Sequence, residues 1–473
     1  MKKALAIDMG ATSIRGILGW VEAGKLHTEE AMRMEHKSVR KDGRLRWQWE
    51  RLMGQIADTV REHAAEIVSV GVDTWGVDFG LLDEEGVLYA DPVSYRDPLH
   101  QKGYDRALSL IGGKKLFLGT GTQLMPINTL FQLIAMQEVS PEEWKKARSL
   151  LMLPDLVGYM LCGQRAAEET ILSTAQVMDL ETVRLDEALL ERFGISERLF
   201  APVTQAGTRL GTTADARIGD LRKEKPVDVI AVCGHDTASA VMLTEAFRDP
   251  DCMFLSCGTW SLFGALSERA VLTEEAYRED MTNELGYGQR NMFFRNITGL
   301  YLLEKCKKEI EAERGSSLDF AEITEYVMTH PNETGLIDMD APQFAEDGAC
   351  ARQEIDAFLR KAGKTLPKED MAYFRIIYES LIEKYAQTRD SLEKIMGKRF
   401  RALHMIGGGA RSPLLCQMTA DRLQVPVTAG PFEATAAGNL IVQLIAEGEI
   451  EDLASGIAMM QRTAEVRRYE PKA

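Results

Sequence analysis

The segment VDVIAVCGHDTASAVML at 227–243 carries the residue best suited to acid–base chemistry, Asp236. An apolar strand leads into a turn at Gly234, and a helix is predicted to begin near Thr237. Asp236 therefore lies at a strand-to-helix junction, where side chains are held rigidly at the carboxyl end of a strand. A carboxylate in that place can accept the proton of a hydroxyl group that receives a phosphoryl group. A helix N-cap is the alternative interpretation of Asp236.

Other polar groups are candidates for binding a small substrate. His235 is interpreted as a hydrogen-bonding partner of the substrate, because no second His or Cys lies at the spacing of a metal site. In SVGVDTWGVDFGLLD at 69–83, two predicted strands flank a turn that holds Trp75 and Gly76. Polar groups beside an aromatic wall are typical of a pocket for a molecule such as a carbohydrate. Core packing is the alternative for the tryptophan.

Glycine beside Ser or Thr recurs in two turns that are far apart in the chain. LAIDMGATS (5–13) and MFLSCGTWS (253–261) each run an apolar strand through such a turn into a second apolar strand. Backbone N–H and hydroxyl groups can approach phosphate oxygens there. The residues concerned are Gly10, Ala11, Thr12 and Ser13 in the first copy, and Gly258 and Thr259 in the second. An ordinary hairpin turn is the alternative for either copy alone, but their pairing favours a phosphate site. No GxxxxGK[ST] motif occurs, which excludes a Walker-type loop.

Two more features complete a predicted site for a nucleotide and Mg2+. Asp8 closes the first strand, where its carboxylate can hold Mg2+ through water molecules; ordinary turn chemistry is the alternative. LHMIGGGARSPLL (403–415) runs from a strand through three glycines into a helix, with Ser412 as predicted N-cap and Pro413 as first helical residue. Gly407 and Gly408 are predicted to let adenosine lie against bare backbone, with a plain loop as the alternative.

The elements around these turns indicate an α/β protein. Leu52, Ile56 and Val60 predict a helix between the strands at 3–20 and 67–72, and a second helical stripe over 377–395 precedes a strand at 402–406. One core rarely grows past about 300 residues, so a chain of 473 residues is expected to form two domains. The polar turn at 248–254 is the candidate boundary, which gives domains at 1–245 and 246–473.

Composition excludes several classes of function. The 56 Lys and Arg against 72 Asp and Glu give a formal charge of -16, which opposes binding to nucleic acid. The seven cysteines form no CxxC pair, so neither a disulfide framework nor a zinc site is indicated. Asp8 interrupts the N-terminal apolar stretch too early for a secretory signal, and no segment approaches the ~20 apolar residues of a membrane span. The sequence therefore predicts a soluble cytoplasmic protein without a membrane partner.

Taken in this order, the segments resemble the FGGY family of carbohydrate kinases over essentially the whole chain. The resemblance rests on DMGATS (8–13), GVDTWGVDFGLLD (71–83), YRD (95–97), NTLFQL (128–133), LMLPD (151–155), GHDTASAV (234–241), LSCGTWSL (255–262), NITGLYLLE (296–304) and GGGARSPLL (407–415). DTWGVDF, HDTASAV and NITGLYLL resemble the members that phosphorylate L-rhamnulose at O1. The glycine motifs mark only the superfamily.

This resemblance implies two ribonuclease-H-like domains of the actin and hexokinase type, with a cleft that closes on ATP, Mg2+ and a sugar. It implies that Asp236 is the general base and that Gly76, His235, Thr237 and Asn296 contact the sugar. It assigns Ala11 to Arg15, Thr259 and the pair Gly407 and Gly408 to ATP. A monomer or homodimer is expected.

Three departures from the family pattern bear on specificity. Glu304 stands where Gln is usual near the nucleotide, Ile171 replaces an Asn, and Leu99 replaces a basic residue. The alternatives are a family kinase for L-fuculose, L-xylulose or glycerol, a chaperone-like ATPase on the same scaffold, and a structural or interaction protein. The last leaves the paired glycine turns unexplained, and no appended client-binding module is visible for the ATPase.

Overall fold

A computed structural model describes residues 2–344 and 350–472. The chain forms two compact units. Unit 1 comprises Met1–Leu243, Leu266–Phe293 and Glu433–Ala464, and unit 2 comprises Thr244–Ala265, Phe294–Phe432 and Glu465–Ala473. The division at 245/246 stays a prediction, because each unit is assembled from separate stretches of chain. In the described ranges, every helix is too short or too polar to cross a bilayer.

Strands and helices alternate along most of the chain. The strands are β1 (Lys3–Met9), β2 (Ser13–Glu22), β3 (Lys25–Glu35), β4 (Ser38–Lys41), β5 (Arg44–Trp47), β6 (Ile67–Thr74), β7 (Phe79–Leu82), β8 (Ser149–Met152), β9 (Ala167–Glu168), β10 (Met178–Asp179), β11 (Arg184–Leu185), β12 (Val203–Thr204), β13 (Arg209–Thr212), β14 (Asp228–Ile230), β15 (Cys252–Cys257), β16 (Trp260–Ser267), β17 (Thr282–Leu285), β18 (Asn291–Thr298), β19 (Ala402–Ile406), β20 (Val427–Ala429) and β21 (Arg467–Tyr469). The helices are α1 (Trp49–His63), α2 (His100–Ile111), α3 (Gly113–Thr120), α4 (Thr129–Val139), α5 (Pro141–Lys146), α6 (Leu153–Cys162), α7 (Glu169–Ser173), α8 (Glu187–Arg192), α9 (Asp236–Val241), α10 (Glu274–Arg278), α11 (Tyr301–Arg314), α12 (Phe320–Thr329), α13 (Ala351–Lys361), α14 (Asp370–Met396), α15 (Pro413–Leu423), α16 (Ala434–Ala446) and α17 (Leu453–Gln461).

The first sheet has the strand order β13-β14-β6-β1-β2-β3. β1 pairs antiparallel with β2 and parallel with β6, and β6 pairs parallel with β14. The apolar residues of β1 are buried, as a strand covered on both faces requires. Because parallel strands end at one edge of a sheet, the carboxyl ends of β1, β6 and β14 lie together. Asp8 lies at the end of β1, the TWG turn follows β6, and the GHDT segment follows β14.

The second sheet repeats this arrangement. Its order is β17-β18-β16-β15-β19-β20-β21, and β15 pairs antiparallel with β16 and parallel with β19. The run β18-β16-β15-β19-β20 therefore matches β3-β2-β1-β6-β14 strand for strand. This confirms the predicted α/β fold with two ribonuclease-H-like sheets, each starting with a glycine hairpin.

Helices cover these sheets with the faces that the periodicity predicts. Leu52, Ile56 and Val60 on α1 are buried in the core of unit 1. In unit 2, Tyr385 of α14 stacks on Phe263 with ring centroids 5.7 Å apart. α15 begins as predicted, at Pro413 with the Ser412 hydroxyl accepting from the Leu415 N–H. α16 packs on β1 and β6 within unit 1.

Candidate active site

The turn after β14 brings Asp236 to the carboxyl edge of the first sheet. His235 forms a parallel bridge with Thr74, and the Thr74 N–H donates to the Gly234 carbonyl at 2.8 Å. α9 begins at Asp236, and His235 occupies the N-cap position without a side-chain hydrogen bond that caps the helix. The N-cap interpretation of Asp236 is therefore wrong. Its side chain keeps 32% exposure, and Oδ1 accepts a hydrogen bond of 3.1 Å from the Thr237 hydroxyl.

Glu168, which the sequence analysis missed, holds this turn in place. Its Oε2 accepts hydrogen bonds from the N–H groups of Gly234, Thr170 and Ile171 at 2.9 to 3.1 Å. Burial raises the pKa of Glu168 to about 7, and the hydrogen bonds from these donors limit that rise. A buried carboxylate with several N–H partners fixes the backbone that carries His235 and Asp236.

Two more carboxylates lie at the ends of β1 and β6. Asp8 is paired across the hairpin with Arg15 and, on the other side, stands in register with Asp73. Arg15 donates to Asp8 Oδ2 at 2.5 Å and also forms an ion pair with Glu433. The Asn439 amide donates to Asp73 Oδ2 at 2.6 Å. The other oxygen of Asp73 has no hydrogen-bond partner in the described part of the chain.

These carboxylates affect each other's charge. Burial raises the pKa of Asp8, while the Arg15 guanidinium opposes that rise. Burial raises the pKa of Asp73 well above its usual value, and the nearby charge of Asp8 adds to it. Burial also raises the pKa of Asp236, with His235 lowering it and Asp8 raising it further. The edge therefore gathers more negative charge than Arg15 neutralises, which favours a cation there.

The first glycine turn lies beside this cluster. The Gly10 N–H donates to the Ser13 carbonyl at 2.9 Å, which closes a tight turn with Thr12 exposed at its tip. The ring of His36 supports the turn from behind, with Nε2 2.8 Å from the Gly10 carbonyl oxygen. Ala11 is half-buried. The turn therefore presents residues 11–13 on a fixed base.

The TWG turn after β6 is held by packing. Trp75 is buried between His36 and Trp47, with ring centroids 5.6 and 4.7 Å away. Its indole N–H donates to Asp78 at 3.0 Å. A Cβ on Gly76 would lie 3.1 Å from Thr174, tighter than an ordinary contact. The position of the indole matches the core-packing alternative, so a sugar contact by Trp75 stays a prediction.

Val77, next in this turn, adopts a conformation that β-branched residues rarely take. Its φ is +69°. The Thr174 hydroxyl accepts from the Val77 N–H at 3.0 Å, and the Thr129 hydroxyl donates to the Val77 carbonyl at 2.6 Å. Such conformations persist only where the surroundings impose them, and they concentrate at binding sites.

The His235 ring contacts acidic groups at both nitrogens. Nδ1 lies 3.1 Å from Glu284 Oε2, and Nε2 lies 3.5 Å from Asp236 Oδ1. The side chains of His235 and Glu284 are both buried. Glu284 is on β17, in a segment without a recognisable motif, and the sequence analysis missed it. A local pattern cannot reveal it, because the pairing depends on tertiary structure.

Unit 2 assembles its own predicted residues around the second glycine turn. The Gly258 N–H donates to the Trp260 carbonyl at 2.8 Å, which closes a turn one residue shorter than the one at Gly10. The Gly258 carbonyl accepts from the Leu300 N–H at 2.9 Å, and Thr259 accepts from Gly299 at 3.1 Å. The second turn is thereby joined to the start of α11. Glu304 is exposed in the first turn of that helix, and Asn296 is half-buried on β18.

The glycine turn after β19 meets the same hairpin. Gly407 has φ +83°, and a Cβ on it would lie 2.7 Å from the Cys257 carbonyl oxygen. A Cβ on Gly409 would lie 2.3 Å from the Cys257 sulfur. Gly408 is exposed, and a Cβ there would meet nothing within 4 Å. Unit 2 thus brings Gly258, Thr259, Gly407 and Gly408 together, and packing requires a glycine at 407 but not at 408.

Comparisons with known proteins agree with this arrangement. Residues 3–242 match the N-terminal domain of the FGGY family of carbohydrate kinases, and residues 253–447 match its C-terminal domain. Proteins named rhamnulokinase from Bacteroides thetaiotaomicron and Bacillus subtilis are 36% and 33% identical to this chain, over 99% of it and 95% of their own lengths.

Solved structures extend the comparison to the fold. A xylulose kinase from Lactobacillus acidophilus superimposes with a TM-score of 0.79 at 14% identity, covering 100% of this chain and 94% of its own. A glycerol kinase from Plasmodium falciparum, solved with ADP, gives a TM-score of 0.79 at 15% identity with the same coverage. At such identities the likeness concerns the fold alone. From the two family matches and the full-length relatives, this chain belongs to the FGGY family of carbohydrate kinases.

Proposed function

We propose that the chain transfers the γ-phosphoryl group of ATP to O1 of L-rhamnulose, with Asp236 as general base. The observation that carries this proposal is the partly exposed carboxylate of Asp236 at an edge where Asp8 and Asp73 are buried. It is the carboxylate of the three that a substrate hydroxyl can reach. The substrate assignment is supported by full-length relatives named rhamnulokinase.

The sugar contacts follow from the elements that meet at this edge. Gly76 and His235 lie on the two turns joined by the bridge between Thr74 and His235, and Thr237 follows in the first turn of α9. The backbone of these turns is fixed by Glu168 and by the hydroxyl of Thr174, so polar groups there keep their positions before a sugar arrives. Asn296 and Trp75 are proposed as further sugar contacts.

Each unit supplies proposed nucleotide contacts of its own. Residues 11–13 and Arg15 of unit 1 are proposed to contact the phosphates. Gly258, Thr259 and the pair Gly407 and Gly408 of unit 2 are proposed to contact ATP, because bare backbone is presented there. Glu304 carries a negative charge at the corresponding helix start, which weakens a phosphate contact relative to Gln.

The donor set at the edge of the first sheet fits Mg2+. Mg2+ prefers carboxylate oxygens and keeps several of its waters. Asp8 and Asp73 stand in register on adjacent strands, and one oxygen of Asp73 is buried without a partner. When bound, the ion would neutralise charge on the phosphates. The described residues contain no group of three His, Cys, Asp or Glu close enough to bind a metal directly, which is compatible with ligation through water.

The chain's own groups then perform a simple sequence of steps. The turns position the sugar hydroxyl against Asp236, which accepts its proton as the bond from O1 to the γ-phosphorus forms. The bond between that phosphorus and the oxygen bridging to the β-phosphate breaks at the same time, and ADP leaves. Arg15 and the backbone N–H groups of the hairpin stabilise charge on the phosphoryl oxygens. His235 stabilises the ionised form of Asp236 until the proton arrives.

ADP release with L-rhamnulose, L-fuculose, L-xylulose and glycerol tests the proposal. Asp236→Asn should lower turnover by about 10² to 10⁴ while nucleotide binding persists. Asp228→Asn, at the start of β14, the strand that precedes Asp236, is the matched control and should retain turnover. Wild-type turnover by Asp236→Asn would show that Asp236 is not the general base. A preference for another ketose would instead change the substrate assignment. Ile171 and Leu99, which depart from the family pattern, would then be the residues to examine.

A further inference from the structure

Glu284 and Asp236 lie on opposite sides of one imidazole ring. Glu284 Oε2 is 3.1 Å from Nδ1 of His235, and Asp236 Oδ1 is 3.5 Å from Nε2. His235 Nδ1 and Glu284 Oε2 are both buried and form no hydrogen bond of regular geometry in the described ranges, so their ion pair is the polar contact that the two atoms share. A buried contact in which each polar atom has only the other as its partner is specific.

β17 holds Glu284 firmly from both sides. The Leu285 N–H donates to the Ser173 hydroxyl at 2.9 Å, and the Asn283 N–H donates to the Gly121 carbonyl at 2.9 Å. One residue further back, the Thr282 hydroxyl accepts from the Gln123 N–H at 3.1 Å. The backbone that carries Glu284 is therefore fixed before any substrate binds, as expected of a group that orients another.

We propose that Glu284 is a positioning residue for the phosphoryl transfer, which acts on Asp236 through His235. Its carboxylate forms an ion pair with the imidazole at Nδ1, fixes the ring plane, and keeps the imidazole protonated so that Nε2–H faces Asp236. The cation holds the base ionised at an edge crowded with acidic groups. This inference rests on the proposed role of Asp236 as general base.

The electrostatics of the ring agree with this arrangement. Burial alone lowers the pKa of His235, but the carboxylates of Glu284, Asp236 and Glu168 outweigh burial and raise it. Asp236 experiences the reverse, because burial and Asp8 raise its pKa while His235 lowers it. Loss of the charge on Glu284 therefore favours a neutral imidazole and a protonated Asp236.

A double-mutant cycle separates this role from a structural one. Glu284→Gln keeps the shape of the side chain and should lower kcat roughly 10- to 100-fold, since each pH unit by which Asp236 titrates above the assay pH costs tenfold in ionised base. The acidic limb of the kcat profile should move to higher pH, and KM for ATP should change less than about twofold. In a His235→Gln background the same change should have little further effect. Glu284→Asp should lose less than Glu284→Gln.

A measurement on the free enzyme provides a readout independent of turnover. In 15N-histidine-labelled protein, the ring signal of His235 is assigned by its loss in His235→Gln. Its titration midpoint should fall by about one to two pH units in Glu284→Gln. Glu393→Gln removes a buried carboxylate of unit 2 that accepts from the Phe400 N–H, and it should leave the ring signal unchanged.

The outcomes distinguish the two proposals. Additive losses from Glu284→Gln and His235→Gln, or an unmoved ring titration, overturn the role of Glu284 while a kinase with Asp236 as base survives. A wild-type chain that phosphorylates none of the sugars overturns the proposed function and the catalytic part of this inference together. If Glu284→Gln fails to fold, the turnover and the His235 ring titration of Glu284→Asp test the role of Glu284 instead.

Discussion

The amide of Asn439 donates a hydrogen bond of 2.6 Å to the carboxylate of Asp73, although 366 positions separate the two residues in the chain. The contact continues along α16, where Gln443 donates to Asn439 at 2.7 Å and accepts from the Ser69 hydroxyl at 2.8 Å. This buried polar row runs beneath the carboxylates of the candidate site.

Asn439→Leu tests the contribution of this row to stability. It leaves Asp73 Oδ2 buried without its donor, so the free energy of unfolding should fall by about 1 to 3 kcal/mol. Chemical denaturation measures the change. Gln387→Leu replaces an exposed amide of α14 and should alter stability by less than about 0.5 kcal/mol. Equal effects of both substitutions would show that the row contributes nothing specific.

Arg15→Met tests the ion pair at the first glycine turn. Asp8 is buried and would lose its partner, so stability should fall by about 3 kcal/mol, and ATP binding should weaken with it. The control is Arg33→Met on the neighbouring strand, where an exposed pair with Glu30 should contribute about 0.5 kcal/mol or less. Denaturation curves and nucleotide titrations report the two effects. Unchanged ATP affinity in Arg15→Met would show that this arginine does not contact the nucleotide.

The glycines after β19 provide a matched pair. Gly407→Ala forces a side chain into a left-handed conformation 2.7 Å from a carbonyl oxygen, so it should destabilise the protein by about 1 to 3 kcal/mol or more. Gly408→Ala meets open space and should leave stability unchanged. If adenosine lies against this turn, Gly408→Ala should still weaken ATP binding. Calorimetric titration with ATP, beside thermal unfolding, checks both expectations, and full ATP affinity in Gly408→Ala would place adenosine elsewhere.

Stability should depend on pH through Glu168. Burial raises its pKa to about 7 in the folded state, against 4.5 for an unperturbed glutamate. The folded state therefore retains a proton that the unfolded state releases above 4.5, and this contribution declines as the pH rises through 7. The midpoint of thermal unfolding should fall between pH 5 and pH 8, and less steeply in Glu168→Gln. The exposed Glu29 on β3 is the matched control, because Glu29→Gln should keep the wild-type slope.

Local patterns predict the parts of this molecule that local chemistry determines. The two glycine hairpins, the stripe of α1 and the capped start of α15 follow from residues close in sequence, and the structure confirms them. The partners that hold the candidate site do not follow in that way. Glu168 reaches a turn 66 positions away, and Glu284 reaches His235 through the pairing of a separate strand. Asp73 lies two residues before Trp75 in the sequence, but the burial and hydrogen bonding of its carboxylate depend on α16.

The late position of α16 affects how the protein forms during synthesis. Residues 434–446 complete the polar row under β1 and β6, yet Gln443 is made 438 positions after Leu5, whose carbonyl accepts its hydrogen bond. The strands of the first sheet are therefore synthesised early, but α16 packs on them only later. Until then the acidic cluster of Asp8, Asp73 and Asp236 is exposed. Unit 2 lies mostly between these two stretches, so much of it can fold before unit 1 is complete. A nascent chain released before residue 443 should hence be captured by chaperones or degraded, even though it contains every proposed sugar contact.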